Sequence, residues 1–326
     1  MTNIVEVRNL HVRFSGERTV HAVNDVSLSV AEGEVLGLLG ESGSGKSVTL
    51  RALLRLLPKA RTTISGTINV AGQDVLALGE QELSAFRGQT ASMIFQEPGL
   101  ALDPVYTIGD QIAESVIRHK GVSKADAMAR ALQMLDVVRI PSAKRRLQSY
   151  PHEMSGGMRQ RAMIALALAC EPKVLLADEP TTALDATVQI QILLLLRELQ
   201  REFGMSVIFV THDIGVAIEI CDRVAVMYAG QIVETGTMRE IVRSPLHPYP
   251  QGLLASTVHG AARGSRLGTI PGAPPSLSTA PDNCSFAPRC SNAQPCCIER
   301  LPPTVRIGPE RIVRCVLAET GSSATA

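Results

Sequence analysis

The stretch that decides the fold is Gly40-Glu41-Ser42-Gly43-Ser44-Gly45-Lys46-Ser47, a complete match to the phosphate-loop pattern G-x-x-x-x-G-K-[ST]. It follows an apolar run typical of a buried strand, residues 34–39, and precedes a run typical of a helix, residues 48–54. A phosphate loop needs this context, because its backbone N–H groups and the positive end of the following helix together hold phosphate oxygens. The stretch therefore predicts a nucleoside triphosphate site.

Each part of this loop has a predicted role. The glycines let backbone N–H groups turn inward, because no Cβ blocks the required dihedral angles. Lys46 is expected to reach the β- and γ-phosphates, and the Ser47 hydroxyl is expected to ligate Mg²⁺. The nucleotide-binding residues predicted here are Gly40, Glu41, Ser42, Gly43, Ser44, Gly45, Lys46, Ser47 and Val48.

Composition limits the classes of protein that the chain can belong to. Its 326 residues are 45% hydrophobic, which is enough for a substantial core, and its formal net charge of +1 gives no indication of a nucleic-acid partner. No apolar run approaches the roughly 18–20 residues of a membrane span, and the N-terminus lacks the basic and apolar stretches of a signal peptide. We therefore expect the protein to fold in the cytosol.

The pattern of apolar residues predicts an α/β fold. Alternation over residues 1–32 indicates antiparallel strands, whereas short, nearly continuous apolar runs separated by helical patterns indicate a parallel sheet covered on both faces. These runs are residues 34–39, 91–95, 173–177 and 206–210. Residues 98–154 have mostly helical patterns and are predicted to be a helical insertion. We expect a nucleotide-binding domain over residues 1–255 and a separate extension over residues 256–326.

Polar residues follow the predicted parallel strands, at the edge where ligands bind in such sheets. Gln96 and His212 each follow one strand, and Asp178 and Glu179 follow another. Asp178 is expected to hold the Mg²⁺ hydration shell, and Glu179 to polarise the water that attacks the γ-phosphate. The pair alone is a weak signal, but it is a strong one in a chain that also has a phosphate loop.

The run Met154-Ser155-Gly156-Gly157-Met158-Arg159-Gln160 completes a set of motifs over about residues 4–245 that resembles the ATP-binding cassette (ABC) ATPases. This resemblance implies the RecA-like phosphate-loop fold, with an antiparallel β subdomain and the helical insertion. In the family, the Ser155, Gly156 and Gly157 signature caps the γ-phosphate held by a second subunit, so that two nucleotides are sandwiched in a head-to-tail dimer.

The resemblance implies further roles by position. Gln96 is similar to the glutamine that senses Mg²⁺ and the attacking water, and His212 to the switch histidine that contacts the γ-phosphate. Ala183-Leu184-Asp185 resembles the loop that links the two sites of the dimer. Phe14 is the candidate for stacking on adenine, although a core phenylalanine is the competing interpretation.

Segments near the C-terminus resemble one branch of the family, the ATPases of oligopeptide, dipeptide and nickel importers. They are His247–Leu254, Ile270–Leu277 and Cys284–Cys290. Met158, where many family members have glutamine, also resembles this branch. The resemblance implies an ATPase on the cytoplasmic face of the inner membrane. Its partners would be a second ATPase subunit, two permeases docked on the helical insertion and an extracytoplasmic binding protein.

Several functions stay open at this point. Di- or oligopeptides, a nickel chelate, glutathione or an opine would all suit an importer of this branch. A soluble ABC protein of translation or DNA repair is a different class, disfavoured because the chain has one cassette and nearly no net charge. An exporter is disfavoured by the importer-type tail and by the lack of a fused membrane domain.

Five of the seven cysteines lie in the last 43 residues, which predicts a metal site. The expected ligands are Cys284, Cys290, Cys297 and Cys315, and Cys296 is an alternative to Cys297. Four thiolates suit either Zn²⁺ or a [4Fe–4S] cluster. The spacing lacks the paired C-x2-C of zinc ribbons, and the resemblance also points to the cluster. Disulfides are the third option and fit a cytosolic protein poorly.

Overall fold

The computed structural model describes residues 2–182, 184–257 and 268–321, of which positions 100, 319, 320 and 321 are described by backbone only. Ala183, which the sequence places in the loop before Asp185, lies outside these residues, as does part of the predicted extension, residues 258–267. Within the described residues, no helix is both long and apolar enough to cross a membrane.

Twelve strands are present in the described residues, and several of them are those that the apolar runs predict. In chain order the strands are β1 (Asn3–Phe14), β2 (Val20–Ala31), β3 (Val35–Leu39), β4 (Thr62–Val70), β5 (Gln73–Asp74), β6 (Ala91–Ile94), β7 (Val174–Asp178), β8 (Ser206–Thr211), β9 (Arg223–Tyr228), β10 (Gln231–Thr237), β11 (Thr304–Arg306) and β12 (Ile312–Arg314). The fully buried strands β3, β7 and β8 correspond to predicted runs that have almost no polar residues.

Thirteen α-helices are present in the same part of the chain. They are α1 (Lys46–Leu53), α2 (Glu80–Gln89), α3 (Pro98–Ala101), α4 (Ile108–Lys120), α5 (Lys124–Val137), α6 (Ala143–Arg146), α7 (Gly156–Leu168), α8 (Ala186–Phe203), α9 (Ile214–Ile220), α10 (Met238–Arg243), α11 (Pro248–Ala255), α12 (Pro295–Glu299) and α13 (Val316–Gly321). Short 3-10 turns cover Lys59–Arg61, Pro151–Glu153 and Ala287–Arg289.

The chain forms two compact units. The first contains residues 1–4, 31–33 and 70–208, and the second contains residues 5–30, 34–69 and 209–326. Strand β8 runs from the first unit into the second.

In the first unit, β6 and β7 pair in parallel, with Ile94 opposite Ala177. Helix α7 packs against α3, α4, α5 and β6 and is buried along most of its length. The segment between β6 and α7 contains α3, α4, α5 and α6 and has no strand among its described residues. The parallel pair β6–β7 places the residues that follow both strands at the same edge.

In the second unit, the strand order is β11-β12-β10-β9-β3. Strands β3 and β9 are parallel, whereas the β9–β10, β10–β12 and β11–β12 pairs are antiparallel. The sheet is therefore mixed rather than parallel throughout. The predicted extension contributes β11 and β12 to it, because Val313 of β12 pairs with Glu234 of β10.

Candidate functional site

The phosphate loop connects the buried strand β3 to helix α1 in the second unit. Gly45, which immediately precedes α1, has φ of +104°, and a Cβ there would lie 2.5 Å from the Ala22 carbonyl oxygen. Only glycine tolerates both conditions. Because the helix begins at Lys46, its first backbone N–H groups have no carbonyl partner in the helix and face the loop. The sequence therefore builds an anion-binding N-terminus.

The buried side chain of Lys46 contacts the first two residues of the phosphate loop. Its side chain is only 4% exposed, and Nζ donates hydrogen bonds to the carbonyl oxygens of Gly40 (2.7 Å) and Glu41 (2.9 Å). The Ser44 N–H also donates to the Glu41 carbonyl, at 3.2 Å. Ser42 and Gly43 are exposed at the tip of the loop. The ammonium group therefore stands at the base of a loop whose tip is open to a ligand.

The other predicted residues of the second unit lie at element ends. Ser47 and Val48 are half-buried in the first turn of α1, and Phe14 is half-buried at the end of β1. His212 is exposed directly after β8, and the next residue, Asp213, caps α9 by accepting a hydrogen bond of 2.7 Å from the Gly215 N–H.

The acidic pair lies at the end of β7 in the first unit. Asp178 is the last residue of the strand and only 1% exposed. Glu179 follows with φ of +45°, a left-handed conformation that costs free energy for a residue with a Cβ. Its Oε2 accepts hydrogen bonds from Thr182 Oγ1 at 3.1 Å and Gln96 Nε2 at 3.5 Å. The structure thus brings two of the predicted catalytic residues, Gln96 and Glu179, together.

The signature segment also lies in the first unit, at the start of α7. The Ser155 side chain caps this helix by accepting a hydrogen bond from the Met158 N–H at 3.3 Å, and Gly156 and Gly157 form its first turn. A Cβ on Gly157 would lie 2.9 Å from a methyl group of Val188 on α8. Asp185 caps α8 through the Val188 N–H, at 2.9 Å. The start of α7, which carries the signature, therefore packs against the start of α8, which Asp185 caps.

Two residues of the C-terminal region (residues 233–326) contact the phosphate loop, and the sequence does not predict this. Arg289 forms a bidentate ion pair with Glu41, and the Tyr249 hydroxyl accepts a hydrogen bond from the Glu41 N–H at 2.8 Å. Both residues lie more than 200 positions from Glu41 along the chain. The only signal in the sequence is the resemblance of the segments that contain them to one family branch.

The four cysteines predicted as ligands line one small cavity in the second unit. The Cys284 N–H donates to the Cys297 carbonyl at 2.9 Å, which joins two of the segments that contain them. Burial raises the pKa of the Cys284 and Cys290 thiols, and it raises the pKa of Cys315 to about 11. All seven cysteines are free thiols. Among the described residues, no three or more His, Cys, Asp or Glu side chains are grouped closely enough to hold a metal ion.

Comparison with known proteins places these features in one family. The ABC transporter family matches residues 23–182, and the oligopeptide/dipeptide transporter C-terminal region matches residues 233–297. The oligopeptide transport ATP-binding protein OppD of Salmonella typhimurium is 47% identical, over 96% of this chain and 93% of that protein. OppD of Escherichia coli is 48% identical, over 96% and 92% of the two chains.

Solved structures agree with the sequence comparison. The dimeric structure of the ATP-binding cassette MJ0796 bound to ADP and Pi has a TM-score of 0.64 at 32% identity, covering 72% of this chain and 99% of that one. Another similar structure is cbiO1 of Clostridium perfringens, with a TM-score of 0.64 at 27% identity over 75% of this chain and 92% of that one. The chain belongs to the ABC transporter family of ATPases and has the C-terminal region of its oligopeptide/dipeptide branch.

Proposed function

We propose that this chain is the ATP-hydrolysing motor subunit of an importer for di- or oligopeptides. The observation that carries the proposal is the presence, in one chain, of a phosphate loop with a buried lysine and the C-terminal region of peptide-transport ATPases. Relatives that are about half identical over nearly the whole chain are named for oligopeptide transport. Import of a nickel chelate, glutathione or an opine by the same motor is the alternative.

In this proposal the second unit binds the phosphates. The ammonium of Lys46 and the N–H groups at the start of α1 neutralise the β- and γ-phosphates, and Phe14 stacks on the adenine. Mg²⁺ prefers oxygen ligands, and each unit offers some: the Ser47 hydroxyl in the second unit, and the side-chain oxygens of Gln96 and Asp178 in the first. When bound, Mg²⁺ offsets the charge that develops on the phosphate oxygens.

Glu179 is the proposed general base. Its carboxylate accepts a proton from the attacking water as the water oxygen bonds to the γ-phosphorus and the bond to the ADP oxygen breaks. The Gln96 amide, which already donates to this carboxylate, orients Glu179 and the water. His212 is proposed to contact the γ-phosphate. The products are ADP and inorganic phosphate.

The proposed partners follow from the first unit. Ser155, Gly156, Gly157 and Asp185 are proposed to face the nucleotide of a second ATPase subunit in a head-to-tail dimer. Two permeases are proposed to dock on the helical insertion, where Val105 and Tyr106 are exposed apolar side chains. A polar cleft of about 450 Å³, lined in part by Arg118 and Gln111, lies between α2 and α4. With these partners, the chain is proposed to lie at the cytoplasmic face of the inner membrane.

We also propose that the C-terminal cysteines hold a metal centre, either a [4Fe–4S] cluster or Zn²⁺. Its support is that Cys284, Cys290, Cys297 and Cys315 line one cavity. Burial disfavours the thiolate form of Cys284, Cys290 and Cys315, and a bound cation would favour it. The centre would stabilise a segment that has few apolar residues of its own.

Co-purification tests the importer proposal. The tagged chain is isolated from detergent-solubilised membranes of its native host, and the proteins bound to it are identified by mass spectrometry. The expected result is recovery of two integral membrane permeases and a second ATP-binding subunit. Recovery of ribosomes or DNA without a permease would overturn the proposal and favour a soluble ABC protein.

A further inference from the structure

We propose that Arg289 is a positioning residue for the phosphate loop, because it neutralises the Glu41 carboxylate and thereby maintains the affinity of the loop for ATP. The proposal rests on ATP being the ligand of this loop, as stated above. It makes the C-terminal region part of the support of the nucleotide site, in addition to any metal that this region holds.

The contact between the two side chains is bidentate. Nη1 of Arg289 lies 2.7 Å from Oε2 of Glu41, and Nη2 lies 3.1 Å from Oε1. The arginine side chain is 6% exposed and the glutamate side chain 27% exposed, so the pair is largely shielded from water. A pair with this geometry and burial interacts more strongly than an ordinary surface ion pair.

Pro271 and Tyr228 hold the guanidinium from the other side. Nε of Arg289 donates to the Pro271 carbonyl at 2.8 Å, and Nη1 also donates to the Tyr228 hydroxyl at 3.3 Å. Tyr228, Tyr249 and Phe286 pack against one another with ring centroids 4.7 to 5.4 Å apart. The guanidinium is therefore held by a backbone carbonyl and by a tyrosine that is itself packed in an aromatic cluster.

Every polar group of Glu41 is engaged within this unit. Its N–H donates to Tyr249 Oη, its carbonyl oxygen accepts from Lys46 Nζ and the Ser44 N–H, and its carboxylate binds Arg289. The second residue of the loop is thus a fixed point between the ammonium of Lys46 and the C-terminal region. A change at Arg289 acts on the same residue that Lys46 contacts.

The charge of Glu41 is what makes this contact matter for ATP. A carboxylate in a loop that binds the strongly negative triphosphate repels the ligand, and the repulsion is weakly screened where the group is partly buried. Arg289 neutralises this charge by direct contact with the carboxylate. Without the arginine, the loop keeps its fold through Tyr249 and Lys46 but presents an uncompensated negative charge to the phosphates.

The test measures MgATP binding to the full-length chain, with a fluorescent ATP analogue as the probe, together with the KM and kcat of ATP hydrolysis. Arg289→Gln is expected to raise Kd and KM about tenfold, equivalent to ~1.4 kcal/mol, with little change in kcat. Glu41→Gln keeps the backbone of the loop and removes the repelling charge, so it is expected to lower Kd for the probe.

The double variant separates charge compensation from a merely structural role. With Glu41 already neutral, Arg289→Gln is expected to cost little further affinity, so the double variant should resemble Glu41→Gln alone. Losses that instead add, or wild-type affinity in Arg289→Gln, would overturn the inference. If Arg289→Gln does not fold, as judged by circular dichroism, weaker binding by Glu41→Gln alone would overturn it.

Arg314 provides a matched control. It also precedes a cysteine of the C-terminal region and is largely buried, and it forms an ion pair of 2.8 Å with Asp25, outside the phosphate loop. Arg314→Gln is expected to leave Kd for the probe unchanged, and an equal loss of affinity in this variant would contradict a specific role of Arg289. Failure of the wild-type chain to bind ATP would instead overturn the proposed function itself.

Discussion

Gly45 illustrates how single residues shape the phosphate loop. The backbone must turn with positive φ at the point where strand β3 gives way to helix α1, and the Ala22 carbonyl stands 2.5 Å from the position of a Cβ there. This close approach leaves no space for a side chain. The N–H groups of α1 are aimed into the loop only if this turn is made.

We expect Gly45→Ala to destabilise the protein and to abolish ATP binding. The left-handed conformation costs an alanine ~1 kcal/mol, and the contact with Ala22 forces the backbone to move, so a total loss of roughly 2–4 kcal/mol is expected. Urea unfolding and probe binding would measure the two effects. Gly308→Ala is the control, since its nearest neighbour is 3.7 Å from the Cβ position and its stability should change by less than ~0.5 kcal/mol.

Glu179→Gln should separate binding from hydrolysis. The amide cannot accept the proton of the attacking water, so kcat is expected to fall at least about a hundredfold, while ATP binding is kept and the closed dimer accumulates. Steady-state hydrolysis and size-exclusion chromatography with ATP would measure this. Glu198→Gln, which removes only a surface ion pair with Arg139, should have wild-type turnover. Wild-type turnover in Glu179→Gln would remove this residue from its role.

The sequence predicts some of the site because local patterns determine it. Gln96 and Glu179 follow adjacent parallel strands, so periodicity is enough to place them at one edge, and they are within hydrogen-bonding distance. The Glu41–Arg289 pair has no such pattern, because it joins positions 248 residues apart. Only the packing of the C-terminal region brings these two charges together.

Helix α11 shows how an element depends on a buried histidine. His247 is 1% exposed, and its Nδ1 caps the helix by accepting a hydrogen bond from the Tyr249 N–H at 3.0 Å. The His247 N–H donates in turn to the buried Glu234 carboxylate at 2.7 Å. Burial lowers the pKa of His247 from 6.5 to about 3, so the imidazole stays neutral in the folded protein.

This pKa predicts how stability changes with pH. Between pH 6.5 and about 3 the unfolded chain binds a proton at His247 and the folded chain does not, so the free energy of unfolding falls with falling pH. The contribution is ~1.4 kcal/mol per pH unit below about pH 6. His247→Asn, which can still cap the helix, should flatten this dependence in urea unfolding between pH 7 and 5.

Comparing the wild-type protein with His247→Asn separates the effect of His247 from that of Glu234. Burial raises the pKa of Glu234, which gives an opposite dependence on pH, but this carboxylate is present in both proteins and cancels in the difference. His152→Asn changes an exposed histidine and should leave the dependence as it is in the wild-type protein. An unchanged slope in His247→Asn would contradict the assignment.

At the level of elements, strands that are apolar throughout are predictable and antiparallel additions are not. Strands β3, β7 and β8 lie within one residue of the predicted runs at either end. Strands β11 and β12 are three residues each, too short for an alternating pattern to be distinguished from a loop. Their pairing with β10 is a tertiary contact, whereas the antiparallel β9–β10 pair is a local hairpin. Both make the sheet of the second unit mixed, where the apolar runs predict a parallel one.

The whole molecule combines a motor with a cysteine-containing C-terminal region, whose content of metal can be measured directly. We expect the chain purified without oxygen to contain either about four irons and four acid-labile sulfides or one zinc. Cys284→Ser should lower this content, whereas Cys170→Ser, a change to a buried cysteine of the first unit, should not. Absence of both metals would refute the proposed centre and leave the ATPase unaffected.

Peptide uptake is the measurement that tests the central claim most directly. Cells of the native host that lack this chain are supplied with the wild-type protein or with Glu179→Gln, and entry of a radiolabelled tripeptide is followed beside labelled nickel, glutathione and an opine. Import driven by this ATPase predicts that the wild-type protein restores peptide uptake and that Glu179→Gln does not. Equal peptide uptake with and without the chain, or restoration by Glu179→Gln, would contradict it.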